Sequence, residues 1–395
     1  MIAWQEDIFN NFIKLNRGFD LPNHSIVNGT YPVVASTSIK AFHEKYKIQP
    51  PCVVTGRSGS LGKVQYINQK SWPLNTTLYV KDFKGNNPKF VYFFLKIMHL
   101  ENYNAGAGVP SLNQNHLHQL KIKIPQIEIQ KKIAAILSAY DDLIENNNRR
   151  IAILEKMAEE IYKEWFVRMR FPEYEKAKFD RGIPVDWKVK KLERFCERVT
   201  DGTHDTPKPV SSGYYLVTGK NIKEGFVNFN NIYKISEQDH INISKRSGLV
   251  SGDILFSNIG TLGSMAIVDD TIEYSVKNVI IFKPKRKYQT QYLYYMLKEK
   301  FILEQLLLQS SGASQQFISL GVARGFKIFD AGENLIRKFN QLIHPIYTEK
   351  KVLNNQNNNL KQTRDRLLTR LISGKLSVED LDIQFPKSMN EESDA

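Results

Sequence analysis

The sequence predicts an α+β protein made of two similar domains, each followed by one of two long helices that pair as a coiled coil. Three observations carry this expectation. Short motifs occur twice in the same order, about two hundred residues apart. Within each copy, β-branched and aromatic runs alternate with Gly, Asn and Ser turns, then give way to a short amphipathic helix and a final apolar strand. After each copy the apolar positions recur at helical spacing, in the three- and four-residue steps of a coiled-coil seam.

The repeat is clearest where residues 53–62 (VVTGRSGSLG) align with 254–263 (ILFSNIGTLG), matching two glycines and the leucine between them. Residues 75–79 are set against 278–282, 92–96 against 294–298, Gly106-Ala107 against Gly312-Ala313, and 120–122 against 326–328. Upstream, Trp4 with Phe12 mirrors Trp187 with Phe195. These landmarks place a first domain at 1–125, a helix at 126–170, a linker and second domain at 171–330, a second helix at 331–380 and an acidic tail at 381–395, expected to be disordered.

In the first helical segment Ile133, Leu137, Tyr140, Ile144, Asn147, Ile151, Leu154, Ala158, Ile161 and Trp165 form the seam. Asn147 is its one polar member, and two readings stay open. It either lies buried and fixes register, or faces solvent where the helices diverge. The second segment carries Phe339, Ile346, Leu353, Leu360 and Leu367 at seven-residue intervals, with Glu349, Gln356, Thr363 and Arg370 expected at the alternate seam positions. One apolar stripe is too narrow for independence, so the first helix is the expected partner, through Ile144, Asn147, Ile151 and Leu154 against Leu353, Leu360 and Leu367. Pro345 is expected to kink or break the second helix. A helix from Gln130 to Arg168 would span roughly 58 Å at 1.5 Å per residue, more than one turn of duplex DNA. Residues 171–184, punctuated by proline and glycine, read as an ordered linker.

Composition narrows the partner. Lys and Arg number 55 against 41 Asp and Glu, a net charge of +14, so a polyanion is the first partner to consider. The longest apolar stretch, 90–100, is interrupted by Lys96 and His99 and falls short of a membrane span. The N-terminus is acidic rather than signal-like, which points to the cytoplasm and away from a membrane. Cys52 and Cys196 stand alone, giving neither a disulfide framework nor a metal half-site, and are expected as buried thiols.

Catalytic patterns are missing from the sequence. Gly56 and Gly62 enclose five residues rather than the four of a phosphate-binding loop, and Val64 stands where a magnesium-binding hydroxyl belongs. The only Pro-Pro, at Pro50-Pro51, lacks the Asn or Asp and the aromatic that an adenine methyltransferase places around it. Asp186-Trp187-Lys188 lacks the second carboxylate of a metal-dependent nuclease. His116 and His118, taken as neighbours on one side of a strand, have no nearby Cys or carboxylate pair to complete a metal site.

What remains is DNA-reading chemistry. Arg57, Ser58, Ser60 and Lys63 crowd one turn, Asn75 opens another, and Asn113, Gln114, Asn115, His116 and His118 crowd a third. The second copy supplies Lys208, Lys220, Asn221, Asn258, Thr261, Lys277, Asn278, Gln315 and Gln316 at comparable stations. Asn and Gln bond adenine bidentately, Arg and Lys prefer guanine or phosphate, and hydroxyls and backbone amides position the phosphodiester.

Residues 160–172 (EIYKEWFVRMRFP), followed by Gly182-Ile183-Pro184 and Trp187, resemble the central helix and linker of type I restriction-modification specificity subunits. Residues 367–376 (LLTRLISGKL) resemble that family's distal helix end, and Pro110-Ser111-Leu112-Asn113 its target-recognition signature. The resemblance covers nearly the whole chain and implies two target-recognition domains, each reading half of a split DNA site. It also implies paired antiparallel helices that set the gap, an internal pseudo-twofold, and no catalysis by the chain itself. The implied partners are duplex DNA, two methyltransferase subunits with S-adenosylmethionine, and restriction subunits using ATP and Mg²⁺. No cofactor is expected on this chain. One departure stands out: Phe329-Asp330-Ala331-Gly332-Glu333 replaces Ile124-Pro125-Gln126 of the first copy, which leaves open how the second helix begins. A stand-alone DNA methyltransferase or nuclease and a coiled-coil protein scaffold are the alternatives.

Overall fold

The computed structural model describes residues 4–269, 272–312 and 316–385. Ala313, Gln315 and the end of the expected acidic tail lie outside the described residues. The chain forms two compact units, one of residues up to Arg149 with those from Asn354 onward, the other of Arg150–Leu353. Each long helix contributes one part to each unit.

In the first unit an antiparallel sheet runs Lys14–Arg17, Thr77–Asp82, Cys52–Gly56, Val64–Ile67. A second sheet runs Ile39–His43, Tyr31–Val34, Trp72–Pro73, its last pair parallel. Strand side chains alternate between faces, so one face of the larger sheet sends Val53, Leu78 and Val80 against Phe90 and Phe93 of helix Pro88–Ile97 and Leu137 and Leu371 of the long helices. The other face sends Cys52, Val54 and Tyr79 towards Val34 of the smaller sheet. Helices, large sheet and small sheet therefore make three layers. Asn87 caps the short helix by accepting the Phe90 amide at 2.9 Å, with Pro88 in the first turn.

The second unit repeats this plan strand for strand. Its larger sheet runs Cys196–Asp201, Val279–Pro284, Ile254–Ser257, Met265–Ile267, and its smaller sheet Lys234–Ile235, Tyr214–Thr218, Tyr274–Lys277. Helix Thr290–Lys298 takes the place of Pro88–Ile97. In both units a two-stranded ribbon ties an early strand to the last, Gln5–Ile8 with Lys121–Ile124 and Lys188–Lys191 with Lys327–Asp330. The duplication is thus one of topology as well as of motifs.

One alignment is corrected by a residue. Ile280 and Phe282 face the helices and Ile281 the small sheet, as Leu78 and Val80 do against Tyr79. Tyr79 therefore matches Ile281, not Phe282, because a one-residue slip would send every side chain to the wrong layer.

The long helices span Ile127–Phe166 and Glu333–Ile372, 40 residues each. The first begins where the Gln126 carbonyl accepts the Gln130 amide at 3.0 Å, and the buried Gln130 side chain donates to Asn86 and Pro125. The second begins through a glycine turn. Gly332 adopts φ +83°, donates to Asp330 Oδ1 at 3.1 Å and accepts the Ile336 amide, doing by backbone freedom what Pro125-Gln126 does in the first copy. Pro345 lies inside this helix without ending it. Phe339 and Ile343, both fully buried, anchor the preceding turns, and their packing outweighs a proline cost of about 3 kcal/mol.

The seam of the second helix also differs from expectation. Gln356, Thr363 and Arg370 are exposed and Glu349 is half-buried, whereas Ile343, Lys350, Leu353, Asn357 and Leu371 are buried. The alternate positions lie four residues after each apolar one, not three. Three of them are polar, and each meets a polar group of the first helix. In the first unit Arg364 pairs with Asp141, and Asn147 Nδ2 donates to Asn357 Oδ1 at 3.0 Å. In the second, Lys350 pairs with Glu155. Asn147 is thus the buried seam residue of the two readings, with Ile144 and Ile151 buried beside it. Leu154, Leu360 and Leu367 are half-buried.

Candidate nucleic-acid interface

At one end of the larger sheet in the first unit, several turns are stitched together through their backbones. The Arg57 amide donates to Thr76 O at 2.8 Å, the Leu112 amide to Arg57 O at 2.8 Å, and the Gly59 amide to Pro110 O at 2.9 Å. Ser36 Oγ adds a bond to Thr76 O at 2.9 Å. Gly59 and Gly62 hold φ +80° and +83°, and Gly260 and Gly263 repeat this at +75° and +85°. A β-carbon strains such backbone, which is why the glycines recur at both copies.

On this frame Arg57 is half-buried, its Nε donating to Asn75 O at 3.0 Å. The Asn75 amide is bonded to Asp20, which also pairs with Arg17 at 3.4 Å. Ser58 is half-buried, while Ser60 and Lys63 are exposed. Asn113 caps helix Gln114–His118, accepting the Asn115 amide at 2.9 Å. Gln114 is half-buried, and Asn115 and His116 are exposed.

His118 has a structural task. Its Nε2 accepts the Leu15 amide at 3.0 Å, and burial, with Lys14 nearby, lowers its pKa below the ordinary histidine value. His116 and His118 lie on a helix, not a strand, so two residues' separation turns them away from one another. Among the described residues no group of three or more His, Cys, Asp or Glu is placed to hold a metal.

The second unit gathers matching turns with different side chains. The Ile318 amide donates to Asn258 O at 3.0 Å, as Leu112 does to Arg57. Asn258 itself is buried, its Nδ2 donating to Ile318 O at 3.3 Å, so it does not present its amide outward. Asn221 is also buried, its Oδ1 accepting the Thr218 amide and hydroxyl at 2.9 Å as part of a capping box. Both corrections have one cause: Asn bonds the nearby backbone as readily as a base edge.

Lys277 is bonded to Thr206, and Asn278 Oδ1 lies 3.0 Å from His204 Nδ1. His204 Nε2 lies 3.0 Å from buried Asp201, which also binds Arg246. Thr261 Oγ1 is 3.1 Å from Ser257 Oγ. Lys208, Lys220 and Gln316 are exposed, and Gln315 lies outside the described residues. The sequence reading missed Asp20, Asp201, His204, Thr206 and Arg246. The density of turn-forming side chains in 200–207 (TDGTHDTP) was the available signal for most of them.

The two thiols are buried in the sheet cores, burial pushing Cys52 up to about 11 and Cys196 up to about 12. Neither is a ready nucleophile. No helix of the described residues is long and apolar enough to cross a membrane. What the turns offer is a rim of hydroxyls, amides and cations on a hydrogen-bonded backbone frame, suited to binding a polar polymer.

The sequence profile of the type I restriction modification DNA specificity domain matches residues 5–156 and 184–328. The chain is 27% identical over 351 residues to the type I restriction enzyme MjaIX specificity subunit of Methanocaldococcus jannaschii, covering 82% of this chain and 77% of that protein. It is 24% identical to the MjaVIII specificity subunit of the same organism, over 88% of this chain and 84% of that one. The crystal structure of a type I restriction-modification S subunit from M. genitalium shares the fold, with a TM-score of 0.59 at 17% identity over 94% of this chain and 96% of that one.

Proposed function

The chain belongs to the type I restriction-modification DNA specificity family, and from that premise we propose that each unit reads one half of a split duplex site while the two long helices set the unread gap. The observation that supports this reading is the repeated backbone frame carrying different side chains. Arg57 and Asn258 occupy matched stations, as do Asn75 and Lys277. A shared frame with varied contacts is what reading two different half-sites requires.

The chemistry then belongs to partners. Two methyltransferase subunits bring S-adenosylmethionine, and restriction subunits use ATP and Mg²⁺, while this chain binds no cofactor and catalyses nothing. The complex works in the cytoplasm.

Selection of the purified chain on a randomised duplex library tests the reading. A bipartite consensus is expected, with affinity falling steeply as salt rises because phosphate contacts release counterions. Salt-insensitive binding to protein alone would favour the scaffold. Methyl transfer without added subunits would favour an enzyme.

A further inference from the structure

We propose that Arg57 reads a guanine in the half-site met by the first unit, its two terminal guanidinium nitrogens donating to O6 and N7. The inference rests on the DNA-reading assignment above and adds to it one residue and one base.

The geometry supplies the reason. Arg57 is pinned through its own backbone on both sides, to Thr76 and to Leu112, so the root of the side chain is fixed. Its Nε donates to Asn75 O at 3.0 Å, and Asn75 is in turn held by Asp20. That bond occupies one edge of the planar group and fixes its plane. The opposite edge, formed by the two terminal nitrogens, has no hydrogen-bond partner among the described residues.

Arg57 differs in this from two other arginines beside the turns. Arg17 pairs with Asp20 and, in the second unit, Arg246 pairs with Asp201, whereas Arg57 forms no ion pair among the described residues. Two parallel donors on a fixed fork ask for two adjacent acceptors. On a duplex these are a phosphate or the major-groove edge of guanine. A phosphate also takes a bidentate fork, but its tetrahedral oxygens accept it in several planes, whereas a base edge accepts it in one. Pre-ordering by Asn75 therefore favours the base, since the side chain's rotational freedom is already spent before binding.

The matched station in the second unit sharpens the assignment. Asn258 is 8% exposed and bonds inward to Ile318, so the same backbone position presents a fork in one unit and nothing in the other. The two half-sites should differ at this station.

The test uses the full chain and a randomised duplex library at near-physiological salt. The wild type is expected to select a guanine at one position that relaxes in R57A, its preference over the other bases falling about 10- to 100-fold. The second half-site stays as selected, which also reports that the variant is folded. R57K, which keeps the charge but not the fork, is expected to lose the same preference. The proposal is overturned if R57A weakens all sequences alike and R57K restores binding, the pattern of a phosphate contact. It is equally overturned if no guanine position relaxes, or if R57K loses both half-sites while melting like the wild type. A wild-type chain that selects no sequence at all would instead sink the DNA-reading assignment.

Discussion

Asn147 donates from Nδ2 to Asn357 Oδ1 at 3.0 Å inside the helix seam, and Asn357 passes the bond on to Asn148 Oδ1 at 2.9 Å. The two seam residues are 7% and 2% exposed, so water cannot replace a lost partner. Replacing Asn357 alone by leucine should cost about 1–3 kcal/mol, the penalty of a stranded buried amide. Replacing both by leucine should recover most of that loss, because an apolar seam leaves nothing unsatisfied. Equilibrium denaturation of the three proteins decides it. A double variant no more stable than the single one contradicts the account.

Glu155 gathers Lys350, Lys298 and the Tyr295 hydroxyl around one carboxylate. Burial alone would raise its pKa, but Lys350 and Lys298 outweigh burial and hold it below the ordinary glutamate value. Because the folded value is depressed, its stabilisation is complete above the unfolded value of about 4.3 and drains away as pH falls through the folded one. E155Q should lose about 3–5 kcal/mol at neutral pH, leaving the buried Lys350 ammonium unpaired while Lys298 keeps Glu159. The difference from wild type should shrink in acid; a gap that stays constant down to pH ~3 argues against it.

Two histidines should make both units sensitive to mild acid. Burial lowers His118, with Lys14 adding to it, and burial lowers His240 despite the opposing Glu273 and Glu237. His240 stacks on Tyr214 at 3.9 Å, with Nδ1 at 2.9 Å from Ser275 Oγ. Each is neutral in the folded state, so its contribution is full above the unfolded value of about 6.5 and is lost as pH falls through the folded one. The H118N/H240F variant should show a flatter melting temperature between about pH 7 and pH 5. An unchanged slope would remove these residues from the explanation.

The helices should act as a ruler. One added heptad in each, beside Asn147 and beside Asn357, keeps the seam in phase and adds roughly 10 Å of rise, about three base pairs of DNA. The selected gap should grow accordingly with both half-sites unchanged. An altered half-site would mean that spacing and reading are not separate.

Much of the fold was legible because it was written twice. Gly59 and Gly62 with Gly260 and Gly263 marked one turn in two places, and both pairs hold left-handed backbone. Apolar runs between Gly, Asn and Ser turns marked the strands, yet residues 75–79 align one position off, since adjacent apolar residues are buried on both faces of the large sheet. The seam of the second helix failed for the opposite reason. Lys350, Asn357 and Arg364 are polar, and polarity in a sequence looks like exposure until a partner is placed against it.

By itself the sequence determined the duplication, the strand-and-helix order, the long helices and the family, because periodicity and turn chemistry are local or repeated. Only the tertiary structure decided which polar residues are committed inward. Asn221 and Asn258 bond buried backbone, His118 serves Leu15, and Asn147 meets Asn357 across the seam. A side chain's hydrogen-bonding capacity belongs to its chemistry, but whether that capacity is already used depends on groups brought near by folding from distant parts of the chain.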